Sequence, residues 1–257
     1  MILLPNKIAH IWLLDFRTID DSQLEAFKES LSEDELERLE RFSNARLRRK
    51  QLITRMGVRS CLSQYSDSIS PKDWEFEQDA NGKPMLKAGS EMDLSFNLSH
   101  SGDWLVVATT VDTQIGVDLQ QRSYQQPLTD LAERFFHPEE AKALAEAEGD
   151  WQEAQFFRFW TLKEAYLKAR GLGIVGGLEK ARFQLDNNGL VTAEFDPALK
   201  DDPSDWQFHH FDLEDNYSLA LALHQPRAQH ASPHFYKFVP GGMVVPLERR
   251  AHEILVR

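Results

Sequence analysis

Apolar side chains fall on both parities between residues 8 and 15, where Ile8, His10, Trp12 and Leu14 alternate with Ala9, Ile11 and Leu13. A strand that is apolar on both faces is covered on both, so this segment predicts a core strand. The spacing then becomes helical. Asp20–Leu31 and Ser32–Phe42 read as helices, the second opened by Ser32 with Glu35 three residues on, a reciprocal cap for free backbone N–H groups. Asn44–Tyr65 predicts a longer helix with Leu52, Met56, Arg59 and Ser63 along one face. Pro71–Gly89 reads as loop, with a short strand near Trp74–Phe76 and a turn at Asn81-Gly82-Lys83-Pro84. Strands follow at Leu94–Leu98, Leu105–Val111 and Ile115–Gln120, the last two joined by Asp112-Thr113-Gln114 as a tight hairpin. After the polar loop Gln121–Pro127 come helices at Leu128–Phe136, Pro138–Glu146 and Trp151–Ala169. Pro138 suits a first helical position and Gly171 a C-terminal cap. The chain returns to strands at Ala181–Leu185, Leu190–Phe195, Trp206–Leu213, Tyr217–His224 and His234–Val239. The acidic loop Asp196–Asp205 between them reads as solvated surface.

Strand, helices, strands, then strand, helices, strands is the order of two similar α+β lobes. The expected divisions are 1–113 for the N-terminal lobe, 114–240 for the C-terminal lobe and 241–257 for an extension.

Composition narrows the function. The 257 residues are 42% hydrophobic, enough for a sizeable core, and the formal net charge is -12. A general nucleic-acid binder needs a basic surface to neutralise phosphates, so the charge argues against that class and leaves room only for a local basic patch. The acidic balance makes Arg41–Arg59 conspicuous: it holds Arg41, Arg46, Arg48, Arg49, Lys50, Arg55 and Arg59 and no acid. Arginine forks match phosphate oxygens, whereas a bland basic helix face would pair with acidic neighbours. The single cysteine, Cys61, supports neither a disulfide framework nor a zinc site and reads as a buried thiol. The apolar start is broken by Pro5, Lys7 and Asp15, has no basic segment before it and no small-residue cleavage site, and no stretch approaches a membrane span. A cytoplasmic protein without membrane contact is expected.

Three further patches carry candidate chemistry. On the strand Gly116-Val117-Asp118-Leu119-Gln120, side chains two apart share a face, so Asp118 and Gln120 point together and can offer oxygens to a hard cation such as magnesium. In Trp160–Gly173, W-T-L-K-E-A-Y-L-K-A-R-G-L-G, Glu164 and Lys168 stand one helical turn apart. Alone they would make a surface ion pair worth about 0.3–0.5 kcal/mol, and a functional role requires Glu164 to lie near Asp118. Phe96-Asn97-Leu98-Ser99-His100-Ser101-Gly102 reads as a strand end followed by a loop of hydrogen-bond donors suited to phosphate. Ser99 and His100 point to opposite faces and no G-x-S-x-G surrounds either serine, which argues against a serine hydrolase.

These patches, in this order, resemble the 4'-phosphopantetheinyl transferase superfamily, and more closely its larger, two-lobed, surfactin-synthetase-activating class. The family pattern is a G-K-P turn, an F-N-x-S-H-S strand end, a G-[VI]-D-x-E strand and W-[ST]-x-K-E-[AS]-x-x-K-x-x-G-x-G. Here it reads Gly82-Lys83-Pro84, Phe96–Ser101, Gly116–Gln120 and Trp160–Gly173. The match spans roughly residues 32–178. The resemblance implies two α+β lobes related by a pseudo-two-fold, with the active site in the cleft between them. It implies transfer of phosphopantetheine from coenzyme A to a serine of an apo acyl or peptidyl carrier protein of fatty-acid, polyketide or nonribosomal-peptide synthesis, with release of adenosine 3',5'-bisphosphate.

Residue by residue, the resemblance makes Asp118, Gln120 and Glu164 the magnesium ligands, Glu164 the base for the carrier serine, and Lys168 the pyrophosphate-binding group that protonates the leaving oxygen. Ser99 and His100 are expected on the phosphates, Lys83 and Pro84 around the adenine and its phosphates, and Arg38, Arg49 and Lys50 at the 3'-phosphate. Gln120 departs from the pattern, which commonly has an acid there. An active enzyme with an elevated magnesium requirement is expected. The rival is a catalytically impaired module of the same fold that binds coenzyme A or a carrier; a phosphohydrolase using the same cation would not need the carrier serine. Two lobes in one chain already form the cleft, so a monomer is expected.

Overall fold

The computed structural model describes all residues except 1, 3, 5–7, 30, 89–92, 124–126, 174–176, 186–190, 214–215, 227–232, 251–252 and 255–257. Parts of the expected N-terminal segment, the polar loop Gln121–Pro127, the strand start at Leu190 and the C-terminal extension therefore lie outside the described residues. In chain order the elements are β1 (His10–Asp15), α1 (Asp21–Lys28), α2 (Glu33–Glu40), α3 (Ala45–Leu62), β2 (Phe76–Gln78), β3 (Pro84–Leu86), β4 (Leu94–Ser101), β5 (Trp104–Val111), β6 (Ile115–Gln121), α4 (Leu128–Phe135), α5 (Pro138–Ala145), α6 (Gly149–Arg170), β7 (Ala181–Leu185), β8 (Val191–Phe195), β9 (Gln207–Leu213), β10 (Tyr217–Leu223), β11 (His234–Phe238), β12 (Val244–Pro246), β13 (Arg249–Arg250) and β14 (Glu253–Ile254). The fold is mixed α+β.

Two five-stranded sheets organise it, ordered β12-β11-β1-β5-β4 and β13-β14-β9-β10-β6. β1 shows why they stack. Its Trp12 and Leu14 pack with Leu52, Met56 and Leu62 of α3, while Ile11 and Leu13 pack with Val106 of β5, Val117 and Leu119 of β6, and Leu219 and Leu221 of β10. The doubly apolar strand thus lies between a helical layer and the second sheet. Ala220 and Ala222 on the far face of β10 meet Leu162, Ala165 and Ala169 of α6, completing a helix–sheet–sheet–helix stack. β11 joins the first sheet by pairing parallel to β1, with His234 opposite His10. No helix among the described residues is long and apolar enough to cross a membrane. Cys61 is buried, which raises its thiol pKa.

Local signals set the element starts. The Ser32–Glu35 box opens α2, and Asn44 accepts from the N–H groups of Arg46 and Leu47 at the start of α3. Gly171, at φ +66°, caps α6.

Four expectations are corrected. Asp112–Gln114 is not a hairpin: β5 is paired on both edges, by β1 and β4, and has no edge left for β6, which pairs with β10. The turn instead carries the chain from one sheet to the other. Pro71–Gly89 holds β2 and β3 as a small hairpin, closed where Asp79 Oδ1 accepts from the N–H groups of Asn81 and Lys83 at 2.8 and 2.9 Å. β4 continues through Ser101, so Ser99 and His100 are strand residues opposite Val106 and Leu105; the loop shrinks to Gly102-Asp103, with Gly102 at φ +53°. In the acidic loop, Asp201 is half-buried, accepting from Tyr166 Oη at 2.9 Å and Trp206 Nε1 at 3.0 Å and pairing with Arg170.

Candidate active site

The two sheets meet edge to edge at β4 and β6, through side chains. Alternate residues of a strand share a face, and Asn97, Ser99 and Ser101 all reach β6. Asn97 Oδ1 accepts the Val117 N–H at 2.9 Å and Ser101 Oγ the Gln121 N–H at 2.9 Å. Between them Ser99 Oγ donates to Asp118 Oδ1 at 2.9 Å. Gln120 Nε2 donates to Asp118 Oδ2 at 3.2 Å, so Asp118 and Gln120 do share a face, while Val117 and Leu119 enter the inter-sheet core.

α6 supplies the other wall, and Gly116 permits its approach. A Cβ at Gly116 would fall 2.0 Å from the Ala165 carbonyl oxygen and 2.4 Å from the Ala169 nitrogen, so only glycine admits the helix backbone here. The approach delivers Glu164 and Lys168 to Asp118. Lys168 Nζ donates to Asp118 Oδ1 at 2.6 Å and to Ser99 Oγ at 3.0 Å. Leu98, Ser99, His100, Asp118, Gln120, Trp160, Glu164 and Lys168 enclose a pocket of about 290 Å³ drawn from both sheets and α6.

The electrostatics are unbalanced. Asp118 is 1% exposed and satisfied by three donors. Glu164 is 6% exposed, and its Oε1 is buried with no partner. Burial, and next the Asp118 charge, push the Glu164 carboxyl up to about 7 against the opposing pull of Lys168. Glu164 makes no ion pair with Lys168, the contact the two would form if they stood alone on a helix surface; Lys168 pairs with Asp118 instead. Among the described residues no cluster of three or more His, Cys, Asp or Glu side chains is arranged to hold a metal ion. The pocket's oxygen donors are two carboxylates and the Gln120 amide. Magnesium takes one or two carboxylates and completes its shell with water and phosphate, and the orphaned Glu164 oxygen is the kind of atom a cation satisfies. The donor set fits the ion.

His100 faces the helical layer, near Phe16. Its Nδ1 is buried without a partner, and burial followed by the Lys50 charge lowers its pKa. Lys50 donates to the Gly102 carbonyl at 3.3 Å and lies 5.4 Å from the Phe16 ring centroid. With Arg17, Arg46 and Arg49 it borders a cavity of about 500 Å³ beside the Gly102-Asp103 turn. Arg49 is itself engaged, donating to Asp21 Oδ1 at 2.8 Å and to the Ile19 carbonyl. Arg38 is exposed in the last turn of α2 and lines neither cavity. Lys83 Nζ donates to the Ala169 carbonyl at 2.9 Å, near the end of α6, where a cation complements the helix dipole; Pro84 begins β3 beside it. The sequence reading missed Asn97, which fixes β4 against β6, although it stands two residues before Ser99 on the same face. It also missed Phe16 and Arg17, for which the sequence carries no signal.

Residues 114–222 match the family model described as the 4'-phosphopantetheinyl transferase superfamily, and residues 19–112 match that of the 4'-phosphopantetheinyl transferase N-terminal region. The division falls at the turn between β5 and β6. A 4'-phosphopantetheinyl transferase, HetI, of Nostoc sp. is 33% identical, the alignment covering 86% of this chain and 89% of the relative. The 4'-phosphopantetheinyl transferase psf-1 of Bacillus pumilus is 30% identical, covering 85% and 91%. The 4'-phosphopantetheinyl transferase Sfp of Bacillus subtilis is 28% identical, covering 82% and 89%.

Proposed function

The chain belongs to the 4'-phosphopantetheinyl transferase superfamily, in its surfactin-synthetase-activating type, and from that premise we propose that it transfers phosphopantetheine from coenzyme A to a serine of an apo acyl or peptidyl carrier protein, using magnesium and releasing adenosine 3',5'-bisphosphate. The observation that carries this reading is the burial of Glu164 beside Asp118, in a pocket that also contains Lys168, Ser99 and His100.

Asp118 and Glu164 would hold the magnesium, with Gln120 as a neutral oxygen donor, and the bound ion would supply neutralisation of the negative charge developing on the pyrophosphate. Glu164 takes the proton of the carrier serine hydroxyl. The serine oxygen forms a bond to the phosphorus that bears the pantetheine, and the bond from that phosphorus to the bridging oxygen breaks. Lys168 donates a proton to that oxygen as adenosine 3',5'-bisphosphate leaves. Ser99 orients Lys168 and meets phosphate oxygens. His100, with Lys50 across from it, receives the 3'-phosphate, while Lys83 and Pro84 border the adenine. Arg49 contributes through the basic field of α3, and Arg38 reaches the 3'-phosphate from the end of the otherwise acidic α2. The reading includes two lobes related by a pseudo-two-fold, divided at residue 113, in a cytoplasmic monomer.

Intact-protein mass provides the test. The chain, coenzyme A and magnesium are mixed with apo carriers from fatty-acid, polyketide and nonribosomal-peptide systems. A gain of one phosphopantetheine is expected, abolished by chelator and by replacing the carrier serine with alanine. No gain on any carrier while coenzyme A still binds would instead establish an impaired binding module, with Gln120 the first residue to examine.

A further inference from the structure

A cavity of about 730 Å³ lies on the other side of α6, between that helix, α5, β7 and β9. Trp151, Gln155, Arg158 and Phe159 line it, whereas Trp160, Glu164 and Lys168 line the catalytic pocket. At 100° per residue these sets occupy opposite faces of the helix. The cavity has the size of a small-molecule site, and Trp151, Phe159, Phe183 and Leu185 give it apolar walls.

The cations around it are paired with one exception, and Arg182 carries a second carboxylate, Glu194, beside Glu139. Glu140 pairs with Lys163 at 2.7 Å, Glu139 with Arg182, and Asp212 with Arg122. Arg158 has no carboxylate within ion-pair distance among the described residues. Its hydrogen bond runs from Nη1 to Gln155 Oε1 at 3.3 Å, and its Nε is buried with no partner. The charge acting on it is another cation, Arg122. A sheltered, unmatched guanidinium is costly, and its free Nε–Nη2 edge presents the two parallel donors that a carboxylate accepts. A single unpaired guanidinium, bordered by the carboxylates of Glu139, Glu194 and Asp212, suits a monoanion rather than a phosphate dianion.

We propose that this cavity is a second ligand site, binding a small organic monocarboxylate on the Nε–Nη2 edge of Arg158 with its apolar body against Trp151 and Phe159. The site is separate from the coenzyme pocket and does not depend on its assignment.

Benzoate, with benzamide as its neutral counterpart, is titrated at millimolar concentration into the full chain, with and without coenzyme A, and binding is followed by ligand-detected NMR. Benzoate is expected to bind saturably and equally in both conditions. Benzamide, or benzoate against Arg158→Gln, is expected to bind at least about tenfold more weakly, the loss of one charge-assisted pair. Trp151→Ala, in the first turn of α6 where the side chain is mostly exposed, should weaken acid and amide alike. The proposal falls if benzoate does not saturate, if acid and amide bind equally, if Arg158→Gln leaves benzoate binding intact, or if coenzyme A displaces it.

Discussion

Lys168 donates to Asp118 Oδ1 at 2.6 Å rather than to Glu164, which precedes it by one turn on the same helix. The choice across elements, instead of along α6, leaves Glu164 buried with an orphaned oxygen and a neighbouring carboxylate. A pair exposed on a helix would be worth only about 0.3–0.5 kcal/mol. Here the arrangement instead keeps one carboxyl poised near neutrality, beside a carboxylate whose charge is already matched. That division of roles suits a group that takes up a proton or a cation.

Removing Glu164 separates activity from stability. Glu164→Ala and Glu164→Gln should each lower transfer by at least about 10²–10⁴-fold, measured as holo-carrier formed per minute. In magnesium-free buffer the folded chain keeps the Glu164 proton between its ordinary value of 4.5 and about 7, where the unfolded chain has released it. Stability therefore falls as pH rises through that window and levels off above it. Glu164→Gln, permanently neutral, should escape that fall and be more stable than the parent above pH 7 by on the order of 1–3 kcal/mol in urea unfolding. Near-normal transfer would refute the base, and equal pH profiles of stability would refute the buried, raised carboxyl.

Under the proposed magnesium chemistry, Gln120 should set how much of the ion is required. Its amide donates to Asp118 Oδ2 at 3.2 Å, and a carboxylate there would repel Asp118 until a cation arrived. Gln120→Glu should therefore lower the magnesium concentration giving half-maximal transfer and enlarge the rise in melting temperature on adding magnesium. A magnesium dependence identical to the parent's would remove Gln120 from the ion's surroundings.

What the sequence made legible was periodic or local. The two-residue period placed Asp118 and Gln120 on one face of β6, and the Ser32–Glu35 box and Gly171 marked helix ends correctly. What it concealed was the meeting of sheets. That β5 spends both edges on β1 and β4, sending β6 to another sheet, follows from partners far along the chain. The partner of Lys168 was hidden for the same reason, since Asp118 lies 50 residues away and comes into reach only because Gly116 admits α6.

Charge reversal should distinguish two adjacent basic residues. Lys50 faces the Gly102 carbonyl and Phe16 near His100, whereas Arg49 is held by Asp21 and the Ile19 carbonyl. Lys50→Glu should raise the KM for coenzyme A by roughly 10–100-fold, the worth of a charge-assisted bond, with a smaller change in the KM for the carrier. Arg49→Glu should raise it less. If the carrier KM responds more than the coenzyme A KM, this face docks the carrier instead.

Gly116 tests whether helix approach is what assembles the pocket. Its missing Cβ would meet backbone atoms of α6 at 2.0 and 2.4 Å, and backbone cannot rotate away. Gly116→Ala must push α6 off β6, opening the packing of Ala165 and Ala169 and withdrawing Glu164 and Lys168 from Asp118. A cost of at least about 3 kcal/mol in urea unfolding is expected, at the upper end for overpacking. Gly57 in α3 is the control: its added Cβ would meet Leu105 Cδ2 at 2.5 Å, the end of a side chain that can turn. Gly57→Ala should cost about 1–2 kcal/mol and spare transfer under folding conditions. For Gly116→Ala, a temperature low enough to keep the variant folded, verified by circular dichroism, should still show transfer reduced by more than tenfold. A folded Gly116→Ala chain with parental turnover would mean that Glu164 and Lys168 do not need the close contact between α6 and β6 to act.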